Sequence, residues 1–133
     1  MEKHLEIPSR IESIKEVEKL IDMISNELDL PNSLYGNVLI SVIEAVNNAV
    51  IHGNQQDTSK KVLLSVLSDD NKLIISVKDE GPGFDYRVIP DPTSPENLEN
   101  IHGRGIFLMN QLSDNIEFED NGSKVNIEFH FNS

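Results

Sequence analysis

Ser41-Val-Ile-Glu-Ala-Val-Asn-Asn-Ala-Val-Ile-His-Gly53 is the stretch on which the reading of this chain turns. Together with Val38 and Leu39 its apolar residues cover most of a helical circumference, which predicts a buried helix from about Ser33 to His52. Gly53-Asn54 is a C-terminal stop signal. At about 100° per residue, Asn37, Ser41, Glu44, Asn48 and His52 fall on one narrow stripe. A solvent-facing stripe accounts for that placement. The short polar groups and the absence of lysine or arginine, with the motifs that follow, argue instead for the wall of a site. An amide oxygen at Asn48 can enter the octahedral oxygen shell of Mg²⁺. Glu44, one turn earlier, supplies a carboxylate able to take a proton from water or a hydroxyl.

Two more segments follow in order. Asp79-Glu-Gly-Pro-Gly83 closes a β-type run. An ionised Asp79 only accepts hydrogen bonds, so it can receive the exocyclic N–H of adenine. Gly81 and Gly83 would let backbone approach the base, although Asp, Gly and Pro also make plain turns. Gly103-Arg104-Gly105 precedes an apolar segment, Gly105 to Leu112, that reads as a short helix. Backbone N–H groups at such a helix start, with the Arg104 guanidinium, suit phosphate. Taken together the three segments offer a Mg²⁺ ligand, a possible base, an adenine reader and a phosphate cradle, which is an ATP site. Neither a Walker A loop nor a dinucleotide fingerprint is present, and His52 and His102 lack metal-ligand spacing.

Around these segments the chain divides readily. His4 to Pro8 alternates and ends on proline, predicting a short edge strand. Ser9 is the expected N-cap of a helix carrying Ile11, Ile14, Val17, Leu20, Ile21, Ile24 and Leu28, broken at Leu30-Pro31-Asn32. Lys61 to Leu67 and Lys72 to Lys78 form a hairpin about Ser68-Asp-Asp-Asn71. Asn115 to Glu119 and Lys124 to Phe131 form a second hairpin about Asp120-Asn-Gly122. Between the hairpins lies a proline-rich stretch that reads as a lid or binding loop. The order β-α-α-β-β-lid-α-β-β predicts an α+β two-layer sandwich, with a mixed, mostly antiparallel sheet and helices on one face.

The 133 residues suit one domain over 1–133, with the lid at about 80–104. Cysteine is absent, which excludes disulfides and thiolate metal sites and agrees with a cytoplasmic protein. No apolar run is expected to reach membrane-spanning length, and no signal peptide is apparent. A formal net charge of −12 repels nucleic acid and anionic membranes. It repels ATP as well, so a nucleotide site here must rely on Mg²⁺, backbone N–H groups and a local cation. A basic protein partner would be attracted.

Residues 41–53 resemble the N box of the GHKL (Bergerat-fold) ATPase superfamily, 77–85 its first glycine box and 103–109 its second. Within the superfamily the chain looks most like the anti-sigma-factor serine kinases of bacteria, from about His4 to the C-terminus. The resemblance implies the Bergerat ATP-binding fold, with Glu44 as catalytic base and Asn48 as Mg²⁺ ligand. It implies that Asp79, Gly81 and Gly83 bind adenine, and that Gly103, Arg104 and Gly105 form the phosphate-side lid hinge. It further implies ATP and Mg²⁺ as cofactors, a homodimer, phosphorylation of a STAS-type anti-anti-sigma protein, and silencing of a sigma factor. The Gly-Arg-Gly box is shorter than the glycine-rich lids of much of the superfamily, which shifts phosphate contact toward Arg104. Histidine kinases carry a phosphoacceptor hairpin before the shared site, and gyrase-like and MutL-like relatives a transducer domain. Two other readings stay open: an ATP-binding regulatory module without phosphotransfer, and a detached histidine-kinase-type catalytic domain.

Overall fold

A computed structural model describes residues 1–83 and 101–131, with residues 101–104 described through their backbone alone. Alternation of apolar residues produces five strands: β1 (Glu2–Pro8), β2 (Lys61–Ser68), β3 (Lys72–Lys78), β4 (Asn115–Glu119) and β5 (Lys124–His130). Their order is β1-β2-β3-β5-β4. All four pairings are antiparallel, so the sheet expected to be mostly antiparallel is wholly so among the described residues. A helical crossover does carry the chain from β3 to β4, and these two strands run the same way. The β4–β5 hairpin, however, docks through β5, which is inserted between them and pairs with both. β1 is an edge strand, as its terminal proline predicts.

The register puts one apolar set on one face. Ile7 lies opposite Val62, Leu64 opposite Val77, Ile75 opposite Ile127, and Leu73 opposite Phe129. All eight are buried at 2% exposure or less, under the helices α1 (Ile14–Leu28), α2 (Asn32–Asn47) and α3 (Ile101–Leu112). α1 contributes Val17, Leu20, Ile21 and Ile24, four positions of its predicted stripe. It stops at Asp29, a left-handed residue whose N–H bonds back to the Asn26 carbonyl.

Ser9 does not cap α1. The chain first makes a 3-10 turn at Ile11–Ser13, so α1 starts five residues beyond Ser9. The buried Ser9 hydroxyl donates instead to the Lys60 carbonyl at 2.8 Å, tying the exit of β1 to the approach to β2. α2 also departs from the expected single helix. After Asn47 the backbone widens into a π-helical turn, Asn48–Gly53, closed by Asn54 N–H donating to Ala49 O at 2.8 Å. Such widened turns favour functional sites because they re-aim the residues that follow.

Asn32–Gly53 forms 22 continuous helical residues with a mean hydropathy of 1.4, long and apolar enough to cross a membrane by length and composition. The expectation that no segment reaches that length is therefore corrected. Val38, Val42 and Val46 are fully buried in the core, and a core helix covered on several sides has the composition of a spanning one.

Candidate nucleotide site

The site forms where α2 and its π turn pass the end of β3. Asp79, directly after β3, is pinned through its backbone by donating to Ser123 O at 2.9 Å. Its side chain accepts from Gly81 N–H at 2.8 Å and is only 9% exposed. Burial raises the Asp79 pKa above the ordinary carboxylate value, opposed by the Gly81 hydrogen bond and the Lys60 charge. A largely buried acceptor is thus held in a fixed orientation.

Three glycines make that placement possible. A Cβ on Gly53 would lie 2.3 Å from Asp79 Cγ, and one on Gly81 would lie 2.2 Å from the Gly53 carbonyl oxygen. The π turn and the segment after β3 therefore touch backbone to backbone, with the Asp79 carboxylate wedged beside them. Gly83 has φ +83°, and a Cβ there would meet Asn121 O at 2.0 Å, so this position needs glycine for both conformation and space. The facing turn, Asp120–Gly122, holds Asp120, Asn121 and Gly122 at positive φ, the hairpin expected of Asp-Asn-Gly.

A cavity of about 150 Å³ opens beside Asp79. Ala45 lines it from α2, Asn48, Ala49 and His52 from the π turn, Ile106 and Met109 from α3, and Val77, Phe118, Ser123 and Val125 from the sheet side. The lining is mainly apolar with a few polar atoms, the usual character of a small-molecule pocket.

Asn48 stands at the α-to-π junction, and Glu44 lies one turn before it; both are half-buried. They meet α3 at Gly105, where a Cβ would be 2.9 Å from Glu44 Oε2 and 3.3 Å from Asn48 Nδ2. Glycine leaves the carboxylate and the amide open there. One carboxylate and one amide oxygen are hard donors, which suits Mg²⁺ sharing its shell with phosphate and water. Among the described residues no group of three His, Cys, Asp or Glu could hold a metal by itself. The rest of the stripe divides: Ser41 is fully buried, Asn37 half-buried and His52 exposed.

α3 begins at Ile101 rather than at Gly105. Gly103 and Arg104 therefore lie within its first turn instead of ahead of it. The Arg104 side chain is outside the described residues, as is residues 84–100 of the expected lid. Sequence reasoning missed Asn54, Lys60 and Ser123. Asn54 reads as a helix stop, yet it is 1% exposed and bonded on both sides of its amide. A polar residue after a Gly stop signal gives no local sign of that role.

Residues 7–129 match the family model described as "Histidine kinase-like ATPase domain". The anti-sigma F factor of Clostridium acetobutylicum is 34% identical over 103 residues, covering 75% of this chain and 71% of that protein. The anti-sigma F factor of Geobacillus stearothermophilus is 31% identical over 127 residues, covering 92% and 86%. Among solved structures, the RsbU and RsbW domains of a Mycobacterium tuberculosis protein superpose with a TM-score of 0.68 at 15% identity. That match covers 99% of this chain and 32% of the other, and it speaks for the fold alone.

Proposed function

The chain belongs to the histidine kinase-like ATPase domain family, and on that premise we propose that it is an ATP-dependent serine protein kinase and anti-sigma regulatory factor. Its substrate is the serine of a STAS-type anti-anti-sigma protein, and its regulatory target is a sigma factor that it sequesters. The observation that carries this reading is the meeting of Glu44 and Asn48 over Gly105, beside the cavity that holds buried Asp79. Similarity to anti-sigma F factors supports the choice of partners.

In this reading Asp79 accepts the adenine amino group, with Gly81 and Gly83 leaving room for the base. Asn48 would hold Mg²⁺, which would supply charge neutralisation on the phosphates when bound. Gly103, Arg104 and Gly105 bind the phosphate side from α3. Glu44 takes the proton of the substrate serine hydroxyl as its oxygen bonds to the γ-phosphorus. The bond to the β–γ bridging oxygen breaks, and ADP leaves with that electron pair. The net charge of −12 favours a basic protein surface and disfavours direct nucleic-acid binding. A single kinase domain over 1–133, a homodimer and a cytoplasmic location complete the proposal.

Incubation with Mg-ATP labelled in the γ position and a purified STAS-type protein tests it. The expected product is a phosphoserine, stable in acid and lost in base. A product lost in acid and stable in base would indicate a histidine acceptor. Nucleotide-dependent binding without transfer would reduce the protein to a docking module.

A further inference from the structure

The structure assigns to Asn54 the role of a positioning residue that locks the adenine wall of the site to the end of the π turn and the neighbouring strand ends, and so sets nucleotide selectivity; this rests on Asp79 being the adenine reader. Asn54 follows the π turn that begins at Asn48, and only 1% of it is exposed. Its side-chain oxygen accepts from Glu80 N–H at 2.8 Å, the peptide next to Asp79. Its amide nitrogen donates to Ser9 Oγ at 2.7 Å and to the Lys61 carbonyl at 3.0 Å. Four separate segments thereby converge on one side chain: the π turn, the exit of β1, the start of β2 and the residue after Asp79.

The direction of the hydrogen bonds requires an amide. Ser9 Oγ spends its proton on Lys60 O, so toward Asn54 it can only accept. The Lys61 carbonyl likewise only accepts, whereas Glu80 N–H only donates. Asparagine alone among residues of this size offers two donors on one side and an acceptor on the other. An aspartate would set a carboxylate oxygen against the Lys61 carbonyl with no proton between them, and could engage Ser9 only by drawing its proton from Lys60 O. Glu80 reinforces the same junction, its Oε2 accepting from Lys61 N–H at 2.5 Å.

A clamp at this point has a functional consequence beyond stability. The Glu80 peptide separates Asp79 from Gly81, whose N–H holds the Asp79 carboxylate at 2.8 Å. Releasing it frees the segment that packs against Gly53, and the carboxylate loses its fixed place against the π turn. The phosphate side, built on Glu44, Asn48 and Gly105, has no hydrogen bond to Asn54 among the described residues. Loosening the clamp should therefore harm base recognition selectively.

The test measures competition by ATP, GTP and inorganic tripolyphosphate, each with Mg²⁺, against a fluorescent ATP analogue on wild type, Asn54→Asp and Ser9→Ala. Asn54→Asp is expected to lose ATP affinity by about 10-fold or more and to narrow the ATP/GTP ratio, with tripolyphosphate competition unchanged. Ser9→Ala removes one of the two acceptors and is expected to move the ratio in the same direction by a smaller factor. It also serves as the readout if Asn54→Asp does not fold. Folded variants with the wild-type ATP/GTP ratio would overturn the positioning role even if they melt earlier. Equal loss of tripolyphosphate and ATP affinity would overturn it too, because the effect would then be global. A wild type that fails to prefer ATP over GTP would remove the adenine-reader assignment of Asp79, and this proposal with it.

Discussion

Gly53→Ala probes the adenine wall without altering any group assigned to nucleotide or proton. The added methyl would lie 2.3 Å from Asp79 Cγ and Oδ2 and 2.7 Å from Oδ1, where ordinary contact begins at 3.4 Å. The carboxylate must retreat by about 1 Å, or the end of β3 must move with it. It has little freedom to swing, because Gly81 N–H holds Oδ1 and Ser123 O holds the Asp79 backbone. Overpacking of this kind costs about 1–3 kcal/mol of stability, which a core of this size tolerates. The effect on adenine is larger in proportion. A bond to the amino group lengthened by about 1 Å leaves hydrogen-bonding range. Losing a bond to a charged acceptor costs about 1.5–3 kcal/mol, or roughly 10–150-fold in Kd. Calorimetry of Mg-ATP on wild type and variant measures it, with urea unfolding to establish that the variant is native. A folded Gly53→Ala with unchanged ATP affinity would refute the reasoning, because Asp79 would then not be the group that the π turn holds in place for the base.

Glu44→Gln is expected to keep ATP affinity and to slow single-turnover phosphotransfer by about 10²–10⁴; near-wild-type transfer would remove Glu44 as the base. Asp79→Asn should raise the urea midpoint at pH 7. Burial raises the Asp79 pKa, so the folded state holds the proton more tightly than the unfolded one, and stability is lost as pH rises through the raised value. Asparagine removes that slope, and a lower midpoint at pH 7 than wild type would contradict the account. Gly105→Ala presses first on the ends of the Glu44 and Asn48 side chains. It should cost about 1 kcal/mol of stability yet slow transfer by about 10²-fold, read from unfolding and single-turnover assays on the same preparation. Gly36→Ala, with nothing within 4 Å in the interior of α2, should stabilise the protein by about 0.5–1 kcal/mol and leave transfer unchanged.

Much of this protein is legible from its sequence because much of it is periodic. The spacing of Val17, Leu20, Ile21 and Ile24 announces α1, and the alternation from Val125 to Phe129 announces β5 with its buried face. Both signals arise within one element, where side-chain direction follows from helical or pleated geometry. The pairing of Glu44 with Asn48 is local in the same way, since residues four apart share a helix face. Tertiary structure alone decided what depends on contacts between distant segments. No property of Ser9 by itself makes it a tie to Lys60 rather than a helix cap. Nothing local turns Asn54 from a helix stop into a buried junction of four segments. The insertion of β5 between β3 and β4 also depends on which hairpin strand finds the free edge of β3. The same holds for the glycines: Gly53 reads as a stop signal, and only the approach of Asp79 to within 2.3 Å of its absent Cβ shows why no side chain fits there. Hydrophobic pattern specifies which face of an element is buried, whereas the partner of a polar group or a bare Cα is specified only when the packed elements bring it there.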